Sequence, residues 1–565
     1  MYISNYRRRC EAVFLVFFIF FLLCIGRLFF IQFFRSNYLT SIANKQHNQL
    51  VELEPKRGTV YDCNLKAQAF NMSMDSLYAV PNVIKNKESV INLLLPILGV
   101  ERSYLLDRLY RDKAFIWLVR KLTPEKAETI KKLNIKGLGF MKETKRIYPN
   151  SYLASHIIGF SGMDNMGLEG AERDYNKFLK GEPGWAIFLR DARQKKLDIW
   201  EKMVLPVDGL DLVLTVDEVI QYIAERELDK AFKNYHAKGA SIIVMDPHTG
   251  RILALANRPS YDLNDRSGIS MDSMRNRAIC DLFEPGSVFK IVTASAALQE
   301  KKVTEEDIFD CENGAYRVGG RILHDYKPHG RLTFRQVIEE SSNIGTVKVA
   351  QLLGPDTLYH YLRAFGFGAK LGIDLSGEIS GMISPVRSWS KSSISSIPMG
   401  QGVGVTALQL VSAISVIANG GQLMKPYIID AVRDNQGEIV KRNKPVLIRK
   451  VISLDTAMRI KKILTGVVEE GTGRLAKVSG FSAAGKTGTA QKIEANGTYS
   501  HDKFIASFIG FAPAEDPLLA IVVIVDEPHP SYFGGVVAAP VFQKVAGDAI
   551  RYMKGNEVPI EARVQ

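Results

Sequence analysis

The chain has 565 residues, 46% hydrophobic and 24% charged, enough to bury at least one large core and long enough for about two to four domains. Its formal net charge of +13 is spread along the sequence with no basic stripe interleaved with aromatics, which reads as solvated surface and argues against nucleic acid as a partner. Nine histidines without an HExxH pattern and five cysteines without CxxC or zinc spacing exclude a zinc protease, so no metal or other cofactor is expected. In chain order, the basic YRRR (Tyr6 to Arg9) precedes a run from Glu11 to Phe34 that is apolar except for Glu11, Arg27 and Gln32. At about 1.5 Å per residue that run reaches roughly 36 Å, enough to cross a bilayer core of roughly 30 Å with some tilt. Arg27 can snorkel along its own stem. The run is predicted to be a retained single-pass anchor over 11–34. Residues 1–10 are then cytoplasmic and everything after Arg35 extracytoplasmic by the positive-inside bias. A cleaved signal peptide is the rival reading, but its small-x-small site, Ser41-Ile42-Ala43, lies far beyond the apolar core. Cys63, Cys280 and Cys311 would lie outside the membrane, as buried small hydrophobes or with at most one bridge among them.

Beyond the anchor, RGTVYD at Arg57 opens a strand-like alternation, and SVINLLLPILG is helical in pattern. The stretch from RIYP to GLEGAE and on to Gly184 is rich in turn residues. A boundary is expected near LPVDGLDLVLTVD. After Asp217, EVIQYIAERELDKAFKNY reads as an amphipathic helix, and GASIIVMDPHTGRILALANRP as a strand-turn-strand hairpin. LLAIVVIVDEP, from Leu518, is strand-length rather than membrane-length.

The stretch GFSAAGKTGTAQK (480–492) satisfies two motifs. Gly480, Gly485, Lys486 and Thr487 fit the phosphate-loop spacing, while Lys486-Thr487-Gly488 fits the third element of the active-serine set S-x-x-K, S-x-N, K-T-G. A phosphate loop needs a hydrophobic strand before it and a helix after it. Here EEGTGRLAKVSGF precedes, and the following TGTAQKIEANGTYSHDK has an Asn-Gly turn and no helical period, although VIVDE downstream imitates a nucleotide-hydrolase strand. The membrane topology also puts this lysine where ATP is scarce. The serine set, by contrast, is complete and in order: Ser287 and Lys290 three apart, Ser341 and Asn343 two apart, and then Lys486. Glu284-Pro285-Gly286 cannot continue a helix backward, and Ser287 would stand at the positive end of a buried helix. Lys290, one turn on, shares its face and would reach its hydroxyl; desolvation and neighbouring cations would make that lysine a base.

With these motifs in hand, the chain resembles the class B penicillin-binding proteins, membrane-anchored D,D-transpeptidases of peptidoglycan synthesis. The likeness rests on RGTVYD, the RIYP…GF…GLEGAE block, DPHTGRILALANRP, the three active-site motifs, MGQGVGVTALQL and FIGFAPAEDPLLAIVVIVDEP…GGVVAAPVF. It implies an α+β chain: a single transmembrane helix, an elongated mixed α/β pedestal (dimerisation-type) domain over 35–210, and a transpeptidase domain over 211–555 with an antiparallel sheet flanked by helices. A short tail, 556–565, follows. It places 480–492 on an edge strand of that sheet, with VIVDE on a neighbouring strand.

The resemblance further implies that Ser287 is acylated by a stem peptide ending in D-Ala-D-Ala or by a β-lactam, with Lys290 as base. Ser341 would relay a proton and Asn343 would hold the substrate amide. Lys486 would supply positive charge, and Thr487, Gly488 and Thr489 would line the carboxylate site. The amides of Ser287 and Thr489 would form the oxyanion hole. The expected partners are a polytopic membrane glycosyltransferase and division-complex proteins, because the roughly 175 residues between anchor and catalytic region leave no room for a polymerising domain. Septal rather than elongation-type cross-linking is the preferred role. A D,D-carboxypeptidase or β-lactamase shares the serine set; a β-lactam sensor or a silent scaffold is a non-enzymatic alternative.

Overall fold

The computed structural model describes residues 2–39, 48–113, 115–190, 196–494 and 496–556. The expected tail and the Ser41-Ile42-Ala43 site lie outside them, apart from Asn556 itself. The chain divides into two compact units, one of Met1–Lys56 with Gly181–Asp208 and one of Arg57–Lys180 with Gly209–Gln565.

The first unit contains the helix Tyr2–Phe33 and a three-stranded antiparallel sheet of Asn48–Leu53, Gly184–Arg190 and Lys196–Val204, with Gly184–Arg190 in the middle. Within that helix, the span Arg7–Phe33 holds an 18-residue window with a mean hydropathy of 2.8, none of it buried, so it is long and apolar enough to cross a membrane.

In the second unit, residues 57–180 fold around the strand Ala67–Ala79, which pairs antiparallel with Ile116–Leu122 and Leu138–Ile147. The helix read from SVINLLLPILG is Lys87–Leu98. Asn86 caps it, accepting from Ser89 N at 3.0 Å, and Gly99, at φ 69°, ends it. The three motifs of this region meet at one fully buried carboxylate. Glu172, from GLEGAE, receives Arg57 Nε, from RGTVYD, at 2.6 Å and Arg146 Nε, from RIYP, at 2.7 Å. Arg57 also donates to Asn165 O and Asn176 Oδ1, and Arg146 to Gly58 O. Burial lowers the proton affinity of the Arg57 guanidinium, and Glu172 opposes that shift. Gly58 must be glycine, since a Cβ there would lie 1.9 Å from Leu210 O. The strand Val60–Tyr61 then runs parallel to Asp211–Leu214, so the sheet continues past residue 210.

The rest of the second unit is built on helix α1 (Glu218–Asn234), strands β1 (Gly239–Met245) and β2 (Ile252–Arg258), helices α2 (Lys290–Gln299), α3 (Asn343–Leu353), α4 (Ala407–Ala418) and α5 (Leu454–Glu469), strands β3 (Ala484–Ile493), β4 (Tyr499–Ala512) and β5 (Leu519–Asp526), and helix α6 (Ala539–Asn556). Asp217 starts α1 by accepting from Val219 N and Ile220 N at 2.9 and 3.2 Å. The five strands form an antiparallel sheet in the order β2-β1-β5-β4-β3. Alternate residues feed two cores. Ile243, Met245, Val522 and Ile509 join the cluster containing α2 and α4, while Ile242, Val244, Val523 and Phe508 join the one containing α1 and α6. Cover on both faces explains why GASIIVM and LAIVVIV read as continuous apolar runs rather than alternating ones. All twelve residues of α4 are buried, and Thr406 and Gln409 close a capping box at its start, which accounts for the TALQ of MGQGVGVTALQL.

Strand β3 is an edge strand, as expected. VIVDE is not its neighbour: β4 lies between, because the short β3-β4 connection forms a hairpin and leaves β5 to pair with β4 and β1. Cys63, Cys280 and Cys311 are all free thiols, Cys311 buried and the other two half-buried.

The Arg57-Glu172-Arg146 cluster should dominate the stability of the region around it. Glu172→Ala is expected to cost about 3 to 5 kcal/mol by stranding two buried guanidinium groups, measured as a lowered urea midpoint. Glu169→Ala, which removes the exposed partner of Arg173, should stay within about 0.5 kcal/mol of wild type.

Candidate active site

Ser287 lies in a 3-10 turn, Gly286–Phe289, that leads into α2, whose first residue is Lys290. Residues three apart eclipse in a 3-10 turn, so this local geometry puts Ser287 and Lys290 on one face. Gly286 adopts φ 60°, and a Cβ there would lie 2.9 Å from Thr489 O, so glycine lets the serine turn press against β3.

The fully buried Lys290 Nζ donates to Ser341 O at 2.6 Å, Asn343 Oδ1 at 2.8 Å and Ser341 Oγ at 3.2 Å. Its hydrogen bonds therefore go to the S-x-N segment; among the described residues none links it to Ser287 Oγ. Lys486, also fully buried, donates to the same Ser341 Oγ at 2.9 Å. One hydroxyl thus joins the two lysines. Burial lowers the proton affinity of Lys290 to a pKa of about 7, with the charge of Asp325 working against the shift. Lys486 is lowered well below its ordinary value by burial and then by the charge of Lys290. Two ammonium groups sharing one hydroxyl out of water repel each other, so the pair holds fewer than two protons near neutrality.

Ser341 itself sits at φ 61°, a left-handed conformation uncommon for a residue with a side chain. The three residues that follow Ser341 are held by Asp325, which the sequence did not single out. Asp325 Oδ1 accepts from Asn343 N at 2.5 Å and Ile344 N at 3.0 Å, and Oδ2 accepts from Ser342 Oγ at 2.6 Å. Ser342 Oγ in turn caps α3 by accepting from Gly345 N at 3.0 Å. The Asn343 carboxamide is committed at both ends, receiving Lys290 on Oδ1 and donating Nδ2 to His324 O at 2.9 Å.

On the sheet side, Thr487 Oγ1 lies 3.1 Å from Thr472 Oγ1, and Thr489 Oγ1 accepts from Gly534 N at 3.1 Å. Gly488 is a packing position. A Cβ on it would lie 2.3 Å from Ser507 Oγ and 2.8 Å from Val288 Cγ1, and one on Gly534 would lie 2.1 Å from Gly488 O. All eight residues expected at the site therefore fall in one cluster, with Ser287 and Lys290 on the α2 side, Ser341 and Asn343 at the start of α3, and Lys486 to Thr489 on β3. Asp325, Thr472 and Gly534 complete it. Gly534 opens the GGVVAAPVF motif, whereas Asp325 and Thr472 carry no sequence signal, because each acts through a contact with another segment of the chain.

The family model described as the penicillin-binding protein transpeptidase domain matches residues 240–547, more than half of the chain, and the penicillin-binding protein dimerisation domain matches 52–214. The chain is a class B penicillin-binding protein. It is 39% identical over 568 aligned residues to stage V sporulation protein D of Bacillus subtilis, covering 97% of this chain and 87% of the relative. It is 30% identical to the peptidoglycan D,D-transpeptidase FtsI of Escherichia coli, over 94% and 89% of the two chains. Among solved structures, penicillin-binding protein 3 of Mycobacterium tuberculosis in complex with aztreonam aligns with a TM-score of 0.71 at 29% identity, covering 90% of this chain and 98% of that one. Penicillin-binding protein 2X of Streptococcus thermophilus gives 0.74 at 26% identity, over 90% and 82%.

In this family member, Asp325→Asn should lower the Lys290 titration below about 7, because the charge removed is the one that favours the ammonium. Carbon-13 NMR of ε-labelled lysine, compared with a Lys290→Arg control for assignment, measures it; an upward shift contradicts the electrostatic account.

Proposed function

We propose that this class B penicillin-binding protein, a peptidoglycan D,D-transpeptidase, performs its acyl transfer at Ser287 and works in septal wall synthesis. The observation that carries the reading is the junction of Lys290 and Lys486 on Ser341 Oγ beside the Ser287 turn. Lys290 in its neutral form takes the proton of Ser287 Oγ as that oxygen attacks the carbonyl between the last two D-alanines of a stem peptide. The amides of Ser287 and Thr489 receive the tetrahedral oxyanion, at about 3 to 4 kcal/mol per donor. The proton passes from Lys290 through Ser341 Oγ to the departing amine, and D-alanine leaves. An amine of a neighbouring stem peptide then attacks the ester, returns a proton through the same relay and releases the Ser287 hydroxyl. Thr487 and Thr489 hydrogen-bond the terminal carboxylate, and the unused proton of Asn343 Nδ2 faces the donor peptide's amide. A β-lactam acylates Ser287 by the same route and stays.

The apolar helix anchors the protein in the membrane, and the basic YRRR favours a cytoplasmic N-terminus with the catalytic half outside. Glycan polymerisation then falls to a polytopic membrane partner. A second role, in wall made during sporulation, is favoured by the 39% identity to stage V sporulation protein D. Depletion separates the roles: filaments support septal work, normal division with defective spores supports the second, and round cells overturn both.

Ser287→Ala should abolish labelling by a fluorescent penicillin in protein that remains folded and membrane-bound; stoichiometric labelling of that variant removes Ser287 as nucleophile. Wild-type acylation should rise with pH through about 7, as Lys290 loses its proton, and then level off. A rate that falls over this interval argues against Lys290 as base.

A further inference from the structure

The segment just before Ser287 is stitched to the loop at 400–405. Phe283 N donates to Val405 O at 3.1 Å, Val405 N to Phe283 O at 2.9 Å, and Gly286 N to Gly400 O at 3.3 Å. Between these rungs a side chain takes over from the backbone: Glu284 Oε1 accepts from Gly402 N at 2.6 Å and from the Tyr499 hydroxyl at 3.3 Å. Tyr499 begins β4 and pairs with Ile493, the last residue of β3. A single carboxylate oxygen therefore ties the nucleophile segment, the 400–405 loop and the outer end of the β3-β4 hairpin. The other oxygen, Oε2, is buried and has no hydrogen-bond donor among the described residues, and burial raises the proton affinity of the group. Leaving a buried polar atom unpaired costs free energy, so stability alone does not explain a glutamate here.

The contact between the Ser287 turn and β3 has no slack. The Cβ position of Gly286 is 2.9 Å from Thr489 O, and that of Gly400 is 2.4 Å from Gly286 O. The donors assigned to the oxyanion lie on either side of this contact, one on the turn and one on the edge strand.

We infer that Glu284 is a positioning residue for acyl transfer: by holding Gly402 and Tyr499 on one oxygen it fixes the gap between the Ser287 turn and β3, and with it the spacing of the Ser287 and Thr489 amides. The inference rests on the reading of Ser287 given above. It deepens that reading by naming what keeps the oxyanion site assembled from outside the three motifs.

The test is single-turnover acylation of the full-length, detergent-solubilised protein by benzylpenicillin, resolved into the dissociation constant of the initial complex and the acylation rate constant. Glu284→Ala should slow acylation about 10- to 100-fold, the scale of a small misplacement of reacting groups, with the dissociation constant unchanged. Tyr499→Phe should slow it severalfold, and Glu284→Gln, whose amide oxygen can accept from both donors, should recover most of the rate. A wild-type rate in Glu284→Ala, a Gln variant as slow as the Ala variant, or a loss confined to the dissociation constant overturns the inference. Should Glu284→Ala not fold, Tyr499→Phe decides, since it removes one hydroxyl, and a wild-type rate there is equally fatal. Peptide mapping of the wild-type adduct keeps the two readings apart. An adduct on Ser287 with unaffected variants removes only the role of Glu284, whereas an adduct elsewhere removes the Ser287 reading and this one with it.

Discussion

The site depends on one oxygen atom. Ser341 Oγ has one hydrogen and two lone pairs, and two fully buried amines reach it, at 2.9 and 3.2 Å. Water cannot screen those amines, so their shared charge is regulated by how many protons the group holds. With Lys290 neutral, the hydroxyl can donate to it while accepting from Lys486, and the lysine keeps two N–H donors for Ser341 O and Asn343 Oδ1. The arrangement thus satisfies every partner with Lys290 neutral, its single lone pair then turned to Ser341 Oγ. Asp325, the Ser342 cap, the Gly286 contact and the edge position of β3 all act by keeping that oxygen and its neighbours in place.

The pedestal region uses buried charge to the opposite end. Around Glu172 two guanidinium groups face one carboxylate, and the cluster joins three sequence-distant segments. Arg and Glu at such a junction give a fixed charge balance suited to architecture. Lysines beside a serine give a movable one suited to chemistry. The two clusters show why the residue types are not interchangeable even though both are buried and cationic overall.

Much of this was legible in the sequence. The anchor, the amphipathic α1, the β1-β2 hairpin and the three serine-set motifs all announce themselves through period or spacing, which are local properties. The rival phosphate-loop reading of 480–487 is settled by burial and pairing: Lys486 to Thr489 lie in an extended strand opposite Ile509 to Ala506, with no helix following. The illegible part is what converges from elsewhere. Asp325 is an unremarkable aspartate in HDYKPHG until α3 is laid against it, and nothing in K-T-G announces that Ser507 and Val288 occupy the space of its glycine's missing Cβ. The misplaced VIVDE strand has the same origin, since sequence patterns mark strands but not their order. Lys290 reaching Ser341 and Asn343 instead of Ser287 is likewise a matter of where α3 begins.

The left-handed backbone of Ser341 sets backbone stability against the site's shared hydroxyl at a single position. Glycine occupies φ 61° without the penalty of roughly 1 kcal/mol or more that a Cβ incurs, so a search for thermal robustness alone would choose glycine there. The price is the hydroxyl that joins the two lysines. Improvement of this scaffold by stability-guided substitution would therefore drift toward a sturdier protein without the oxygen shared by Lys290 and Lys486 unless residue 341 is held fixed.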